Sequence, residues 1–130
     1  MKTLIVEDDF TARLFLQGLL SRYGDCHIAV NGKEAVEAFR AASDGGEGYN
    51  LICMDILMPE LDGPGAVQQI RALEEARGIR SPVGVKIIMT TAVEDVKEVF
   101  RSFQQLCDAY LVKPVDMNKL LGHLIAFGLV

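Results

Sequence analysis

The sequence predicts a doubly wound α/β fold, a parallel sheet covered by helices on both faces. Two observations carry that prediction. Short continuous apolar runs recur along the chain, as strands buried on both faces require. Between them the apolar residues fall at helical spacing. No internal repeat or Pro/Ser-rich linker divides the 130 residues. A chain of this length sets a prior of one domain, spanning residues 1–130. Helices between strands imply right-handed crossovers and hence parallel pairing.

The elements follow in order. Leu4, Ile5 and Val6 form the first strand, and Ala12, Phe15, Leu16, Leu19, Leu20 and Tyr23 mark the first helix, stopped by Gly24-Asp25. Residues 26–30 read as a second strand that His27 interrupts. After the turn at Asn31-Gly32, Ala35, Val36, Ala38, Phe39 and Ala42 mark the second helix. Residues 43–48 read as a mobile loop by composition. Residues 51–54 form the most apolar run, a central-strand pattern. Asp62 caps a third helix with Pro64 near its first turn, and Val67, Ile70 and Leu73 form its inner stripe. Residues 76–84 form a loop and residues 85–89 a fourth strand. Val96, Val99, Phe100, Phe103 and Leu106 mark a fourth helix, and residues 109–112 a fifth strand. Met117, Leu120, Leu121, Leu124 and Ile125 mark a fifth helix.

Composition excludes several functions. Half of the residues are hydrophobic, 24% are charged, and the net charge is -5. That is a globular composition, and its sign repels phosphate backbones and anionic lipid, so direct nucleic-acid binding is not expected. The apolar start, residues 1–6, runs into Glu7-Asp8-Asp9. It is too short for a signal peptide or a membrane span, so a cytoplasmic location without membrane insertion is expected. Cys26, Cys53 and Cys107 are an odd count without metal spacing, read as reduced thiols. Gly45-Gly46-Glu47-Gly48 lacks the Lys-Ser/Thr of a phosphate loop. His27 and His123 have no partner pattern, and Leu14 falls off the inner stripe of the first helix, as an ordinary exposed leucine or part of a docking patch.

In a doubly wound sheet, chemistry gathers beyond the carboxyl ends of the strands. Strand one ends in Glu7-Asp8-Asp9, strand three in Asp55, strand four in Thr90-Thr91-Ala92, and strand five in Lys113-Pro114. Crowded carboxylates repel one another unless a cation neutralises them. Oxygen-only ligands in a partly hydrated site favour Mg²⁺. With the Lys113 ammonium and the Thr91 hydroxyl alongside, the set makes a site for a phosphoryl group, and an aspartate can attack phosphorus. Any one of these residues alone reads as a loop acid, a helix cap or a surface lysine. Their placement after four different strands is what lowers that reading.

The residues carrying these features are LIVEDD at 4–9, MDILMPELDG at 54–63, IMTTA at 88–92 and YLVKP at 110–114. Together they resemble the receiver domain of two-component response regulators, the CheY-like family, over nearly the whole chain. The resemblance implies a flavodoxin-like five-stranded sheet in the order 2-1-3-4-5. It implies Asp55 as phosphoacceptor and Thr91 and Lys113 as the groups that follow the phosphoryl oxygens. Asp8, Asp55 and the backbone carbonyl of Leu57 would bind Mg²⁺, with Glu7 acting through water. The acidic pair is Glu7-Asp8 or, in another register, Asp8-Asp9. The first is preferred because it places Arg13 where the family often has a basic residue. Pro114 is expected to follow a cis peptide bond, and Tyr110 to be the switch aromatic beside Thr91.

The implied function is a phosphorylation switch rather than an enzyme: it catalyses only its own phosphorylation and dephosphorylation. A sensor histidine kinase or phosphotransfer protein donates phosphate. The surface of the fourth helix, fifth strand and fifth helix then changes shape for a downstream protein target, by a shift between two states. The last predicted helix lies close to Val130, so a stand-alone regulator is expected, a monomer or a phosphorylation-dependent dimer. Leu57 and Val93, each two residues past a site residue, are apolar and unable to orient a water, which predicts slow self-dephosphorylation. Two alternatives remain at this point. A phosphohydrolase with an aspartyl intermediate would want an acid where Leu57 stands. A receiver that only binds proteins would not need the complete acid, Thr and Lys set.

Overall fold

The computed structural model describes residues 1–56, 58, 60–79, 83–91 and 106–130. Five strands form one parallel sheet in the order β2-β1-β3-β4-β5, as the resemblance implied. They are β1 (Thr3–Val6), β2 (Cys26–Ala29), β3 (Leu51–Asp55), β4 (Lys86–Thr91) and β5 (Ala109–Val112). Four α-helices are seen among the described residues: α1 (Phe10–Leu20), α2 (Gly32–Asp44), α3 (Gly63–Ala76) and α4 (Met117–Ala126). The helix predicted from Val96, Val99, Phe100 and Phe103 lies outside the described residues.

Alternation along the strands builds two cores. Leu4, Val6, Ile52, Met54, Ile87 and Met89 face Ala35, Val36 and Phe39 of α2 and Ala66, Val67 and Ile70 of α3. Ile5, Leu51, Cys53, Ile88 and Leu111 face Leu16 and Leu20 of α1 and Leu120 and Leu124 of α4. β1 and β3 are buried throughout, which is why they read as continuous apolar runs. All four helices are N-capped by a side chain, Asp9, Asn31, Asp62 and Asp116, each accepting the N–H three residues on. Such caps stabilise by about 1 kcal/mol each.

Three expectations need correction. The loop expected at 43–48 begins later, because α2 continues through Asp44, with the Gly45 N–H donating to Ala41 O. The inner stripes of α1 and α4 are narrower than predicted: Phe15 is 49% exposed, and Met117 and Ile125 also face out. An i, i+4 leucine pair on each helix is what meets the sheet. On α3, Leu73 is only half-buried, while Arg71 and Glu74 are buried beside the core. The Arg71 guanidinium reaches Glu74 at 2.7 Å, Leu106 O at 2.7 Å, Val85 O at 2.8 Å and Asp108 at 3.0 Å. Glu74 accepts the Val85 N–H at 2.7 Å. These bonds tie α3 to the start of β4 and the approach to β5, where an apolar residue would leave main-chain groups unpaired.

The three cysteines are free, and burial, then the neighbouring Cys26, pushes the Cys53 thiol up to about 12. His27 is hydrogen-bonded through Nδ1 to the Tyr49 hydroxyl at 2.9 Å, and His123 stacks on Phe127. Among the described residues no helix is long and apolar enough to cross a membrane.

Candidate functional site

The register of the sheet assembles the site. Val6 pairs with Met54, Met54 with Met89, and Met89 with Tyr110. The residues just past these positions therefore share one edge. Glu7 and Asp8 follow β1, Asp55 closes β3, Thr90 and Thr91 close β4, and Lys113 follows β5. Thr90 and Thr91 lie within the strand rather than beyond it, since β4 runs two residues past the predicted end at Met89.

Glu7, Asp8 and Asp55 each offer a carboxylate oxygen, and these lie within 4.8 Å of one another. Glu7 and Asp55 are buried while Asp8 is exposed, so the cluster opens to solvent on the Asp8 side. Asp9 is turned away. Its Oδ2 accepts the Ala12 N–H at 2.8 Å as the cap of α1, so the pair that meets Asp55 is Glu7-Asp8. Three carboxylates at this spacing, all hard oxygen donors, fit a small divalent cation.

The Lys113 ammonium lies across the cluster, 2.6 Å from Glu7 Oε1 and 3.3 Å from Asp55 Oδ1. Burial alone would push this ammonium down. The Glu7 hydrogen bond and the charges of Asp55 and Glu7 outweigh that and raise it above the ordinary lysine value. Lys113 is held from its main chain too, its N–H donating to Thr91 O at 2.7 Å. The Lys113-Pro114 peptide is cis, as expected. Thr91 is buried at the end of β4, one residue past Thr90, the partner of Asp55. Tyr110 is partly exposed on β5. Leu57 and Val93 lie outside the described residues.

Gly63 shapes the turn after β3. A Cβ there would stand 2.4 Å from Asp55 O, so only glycine lets the start of α3 close against the Asp55 main chain. Arg13 Nη1 lies 3.4 Å from Glu7 O, near the distance limit of a hydrogen bond. Beside the cluster a cleft of about 520 Å³ opens between α1 and the β5–α4 connection, lined by Glu7, Ala12, Phe15, Lys113 and Pro114 among others. Phe10 and Leu14 are 65% and 57% exposed on the same helix. Sequence spacing did not single out Phe10 or the cleft; the signal available was the number of aromatic and leucine side chains that α1 carries beyond its inner stripe.

The sequence pattern of the response regulator receiver domain matches residues 3–125. This chain belongs to the response regulator receiver domain family. A probable transcriptional regulator ycf27 from Porphyridium aerugineum is 33% identical over 120 residues, covering 92% of this chain and 44% of the regulator. The chain thus spans less than half the length of the curated regulators it matches first. Among solved structures, the receiver domain of the Saccharomyces cerevisiae response regulator Ssk1, co-crystallised with the histidine phosphotransfer signaling protein Ypd1, superposes with a TM-score of 0.82 at 30% identity, covering 98% of this chain and 88% of that one. The receiver domain of the Arabidopsis thaliana histidine kinase CKI1, complexed with Mg²⁺ and BeF3-, gives 0.81 at 28% identity, covering 98% and 89%. The receiver family belongs to two-component signalling, and its five-stranded sheet is the one found here.

Proposed function

We propose that this domain accepts a phosphoryl group onto Asp55 from the phosphohistidine of a sensor histidine kinase or a phosphotransfer protein. The observation that carries the reading is the Lys113 ammonium lying between Glu7 and Asp55 at an edge with a surplus of carboxylates. A carboxylate oxygen of Asp55 attacks phosphorus, the P–N bond to the donor imidazole breaks, and its electron pair stays on the nitrogen. An acyl phosphate forms. Asp8, Asp55 and the Leu57 carbonyl would hold Mg²⁺, with Glu7 acting through water, and the bound ion would supply positive charge to offset that on the phosphoryl oxygens. Lys113 and the Thr91 hydroxyl supply charge-assisted hydrogen bonds to those oxygens.

Phe10, Leu14 and Phe15 make α1 an apolar surface beside the acceptor, suited to docking a helix of the phosphodonor. On the output side, movement of Thr91 toward the phosphoryl group makes room for Tyr110, and the surface that includes β5 and α4 changes for a downstream protein. Moving such a switch from mostly off to mostly on takes roughly 5 kcal/mol of difference between the states. In this reading residues 1–130 work as one receiver in the cytoplasm, without direct nucleic-acid contact. Apolar Leu57 and Val93 leave the acyl phosphate slow to hydrolyse. Val93→Glu is expected to shorten its lifetime, followed by loss of radiolabel; a lifetime unchanged or longer would count against that role.

The test is intact mass after incubation with Mg²⁺ and a small acyl-phosphate donor. A base-labile phosphate adduct on the wild type and none on Asp55→Asn is the expected result. No adduct on the wild type would refute the reading.

A further inference from the structure

Every helix begins with backbone N–H groups that have no partner inside the helix. At the start of α2 one of them is spent on another part of the molecule. The N–H of Gly32, the buried first residue of α2, donates to Leu61 O at 3.0 Å, in the connection between β3 and α3. The approach is close enough to demand glycine. A Cβ on Gly32 would stand 2.1 Å from Leu61 O and 3.0 Å from Leu61 Cβ. The same connection is fastened at its entry. The Ile56 N–H donates to Thr90 O at 3.0 Å, and Ile56 O accepts the Gly63 N–H at 2.9 Å. Between these ties Glu60 has a φ of 73°, in the left-handed region that a residue with a side chain keeps only where its surroundings enforce it. The segment after the proposed acceptor is thus tied to β4 and α3 through Ile56, and to α2 through Leu61.

We propose that Gly32 is a positioning residue for Mg²⁺ binding: its contact with Leu61 fixes the exit of the β3–α3 connection and so the placement of the Leu57 carbonyl. The inference rests on the phosphoacceptor reading, which gives that carbonyl to the ion, and it adds the first turn of α2 to the support of the site. Gly32→Ala puts a methyl group where Leu61 O now lies. The carbonyl then has to retreat by roughly 1 Å to reach an ordinary contact, and a shift of that size, made at a distance from a site, is enough to cost it tenfold or more.

The test is Mg²⁺ affinity, measured by titration calorimetry on the whole chain without any phosphodonor. Gly32→Ala is expected to weaken binding by roughly tenfold. Phe39→Leu removes buried volume from the same helix, beside Tyr49 and Asn50 at the other end of the sheet. It lowers stability and is expected to leave the affinity within about twofold of the wild type. A Gly32→Ala protein that binds Mg²⁺ as the wild type does overturns the proposal. So does an equal loss in Phe39→Leu, which would make the effect one of general stability. A measurement on the wild type decides the matter if Gly32→Ala does not fold. By linkage, an ion that binds better while the Gly32–Leu61 bond is made slows the opening of that bond by the same factor. Saturating Mg²⁺ is therefore expected to slow hydrogen exchange of the Gly32 amide about tenfold. The Gly45 amide, bonded to Ala41 O at the far end of α2, is expected to change by less than about twofold. A Gly32 amide that ignores Mg²⁺, or slows no more than that of Gly45, overturns the proposal. Wild-type protein that binds no Mg²⁺ overturns it together with the phosphoacceptor reading, whereas binding that is indifferent to Gly32 overturns the positioning role alone.

Discussion

Two ends of the same sheet carry buried ion pairs, and they are built to opposite purposes. At the carboxyl edge, the Lys113 ammonium meets Glu7 and Asp55, and Asp8 completes the carboxylate cluster. At the opposite end, Arg71 and Lys86 face Glu74 and Asp108. The second set is balanced, and the Arg71 guanidinium also meets the Leu106 and Val85 carbonyls. The first set has more negative than positive charge and opens to solvent at Asp8. A balanced, saturated cluster fixes structure. An acid-rich, half-open one stands ready for a cation and for a group that carries charge of its own.

The largest effect is expected where the balance is broken. Arg71→Met leaves Glu74 and Asp108 without their guanidinium and is expected to cost about 3–5 kcal/mol in urea unfolding, the range for removing one partner of a buried pair. A loss under about 1 kcal/mol would show that this end is no clamp. Next comes the response to metal. Mg²⁺ at about a hundred times its dissociation constant is expected to stabilise the wild type by about 2.7 kcal/mol. Asp8→Asn is expected to lose most of that increment, and Arg71→Met to keep it. If both lose it equally, the two ends are not independent.

The smallest effect is in pH. The folded state raises the Lys113 ammonium above its ordinary value of 10.5, through Glu7 and Asp55 against the opposing pull of burial. Protonated lysine is therefore favoured by folding. Its contribution is fully present below 10.5 and is lost as pH rises through the raised folded value. The stability gap between wild type and Lys113→Met is expected to shrink in alkali, read from urea midpoints. The gap between wild type and Arg71→Met is expected to hold, because a guanidinium does not titrate there. A Lys113 gap that stays constant with pH would contradict the ion pair.

The contrast also explains what the sequence made legible. The carboxyl edge was readable because its residues follow apolar strands directly: Glu7 and Asp8 after Val6, Asp55 at the end of the most buried run, and Lys113 after Val112. A parallel sheet then gathers them without further information. Asp62 as the cap of α3 was readable for a similar local reason, with Gly63 and Pro64 behind it. The balanced end was not legible. Arg71 and Glu74 look like solvent-facing charges on an amphipathic helix, and the partners of Arg71 at Leu106 and Asp108 lie 35 and 37 residues away. The choice between Glu7-Asp8 and Asp8-Asp9 turned on the Asp9 cap, visible only once α1 was seen to begin at Phe10. Phe15, Met117 and Ile125 share the helical spacing of the inner residues yet face out, because spacing gives a stripe without its width. The width is set by how few side chains reach the sheet.

The most direct measurement transfers phosphate from a phosphorylated histidine phosphotransfer protein to this chain in Mg²⁺ and then maps the modified peptide by mass spectrometry. A single acyl phosphate at Asp55 is expected, with transfer abolished in Asp55→Asn and nearly so in Asp8→Asn. Phosphate found on another residue, or transfer that survives in Asp55→Asn, would contradict it.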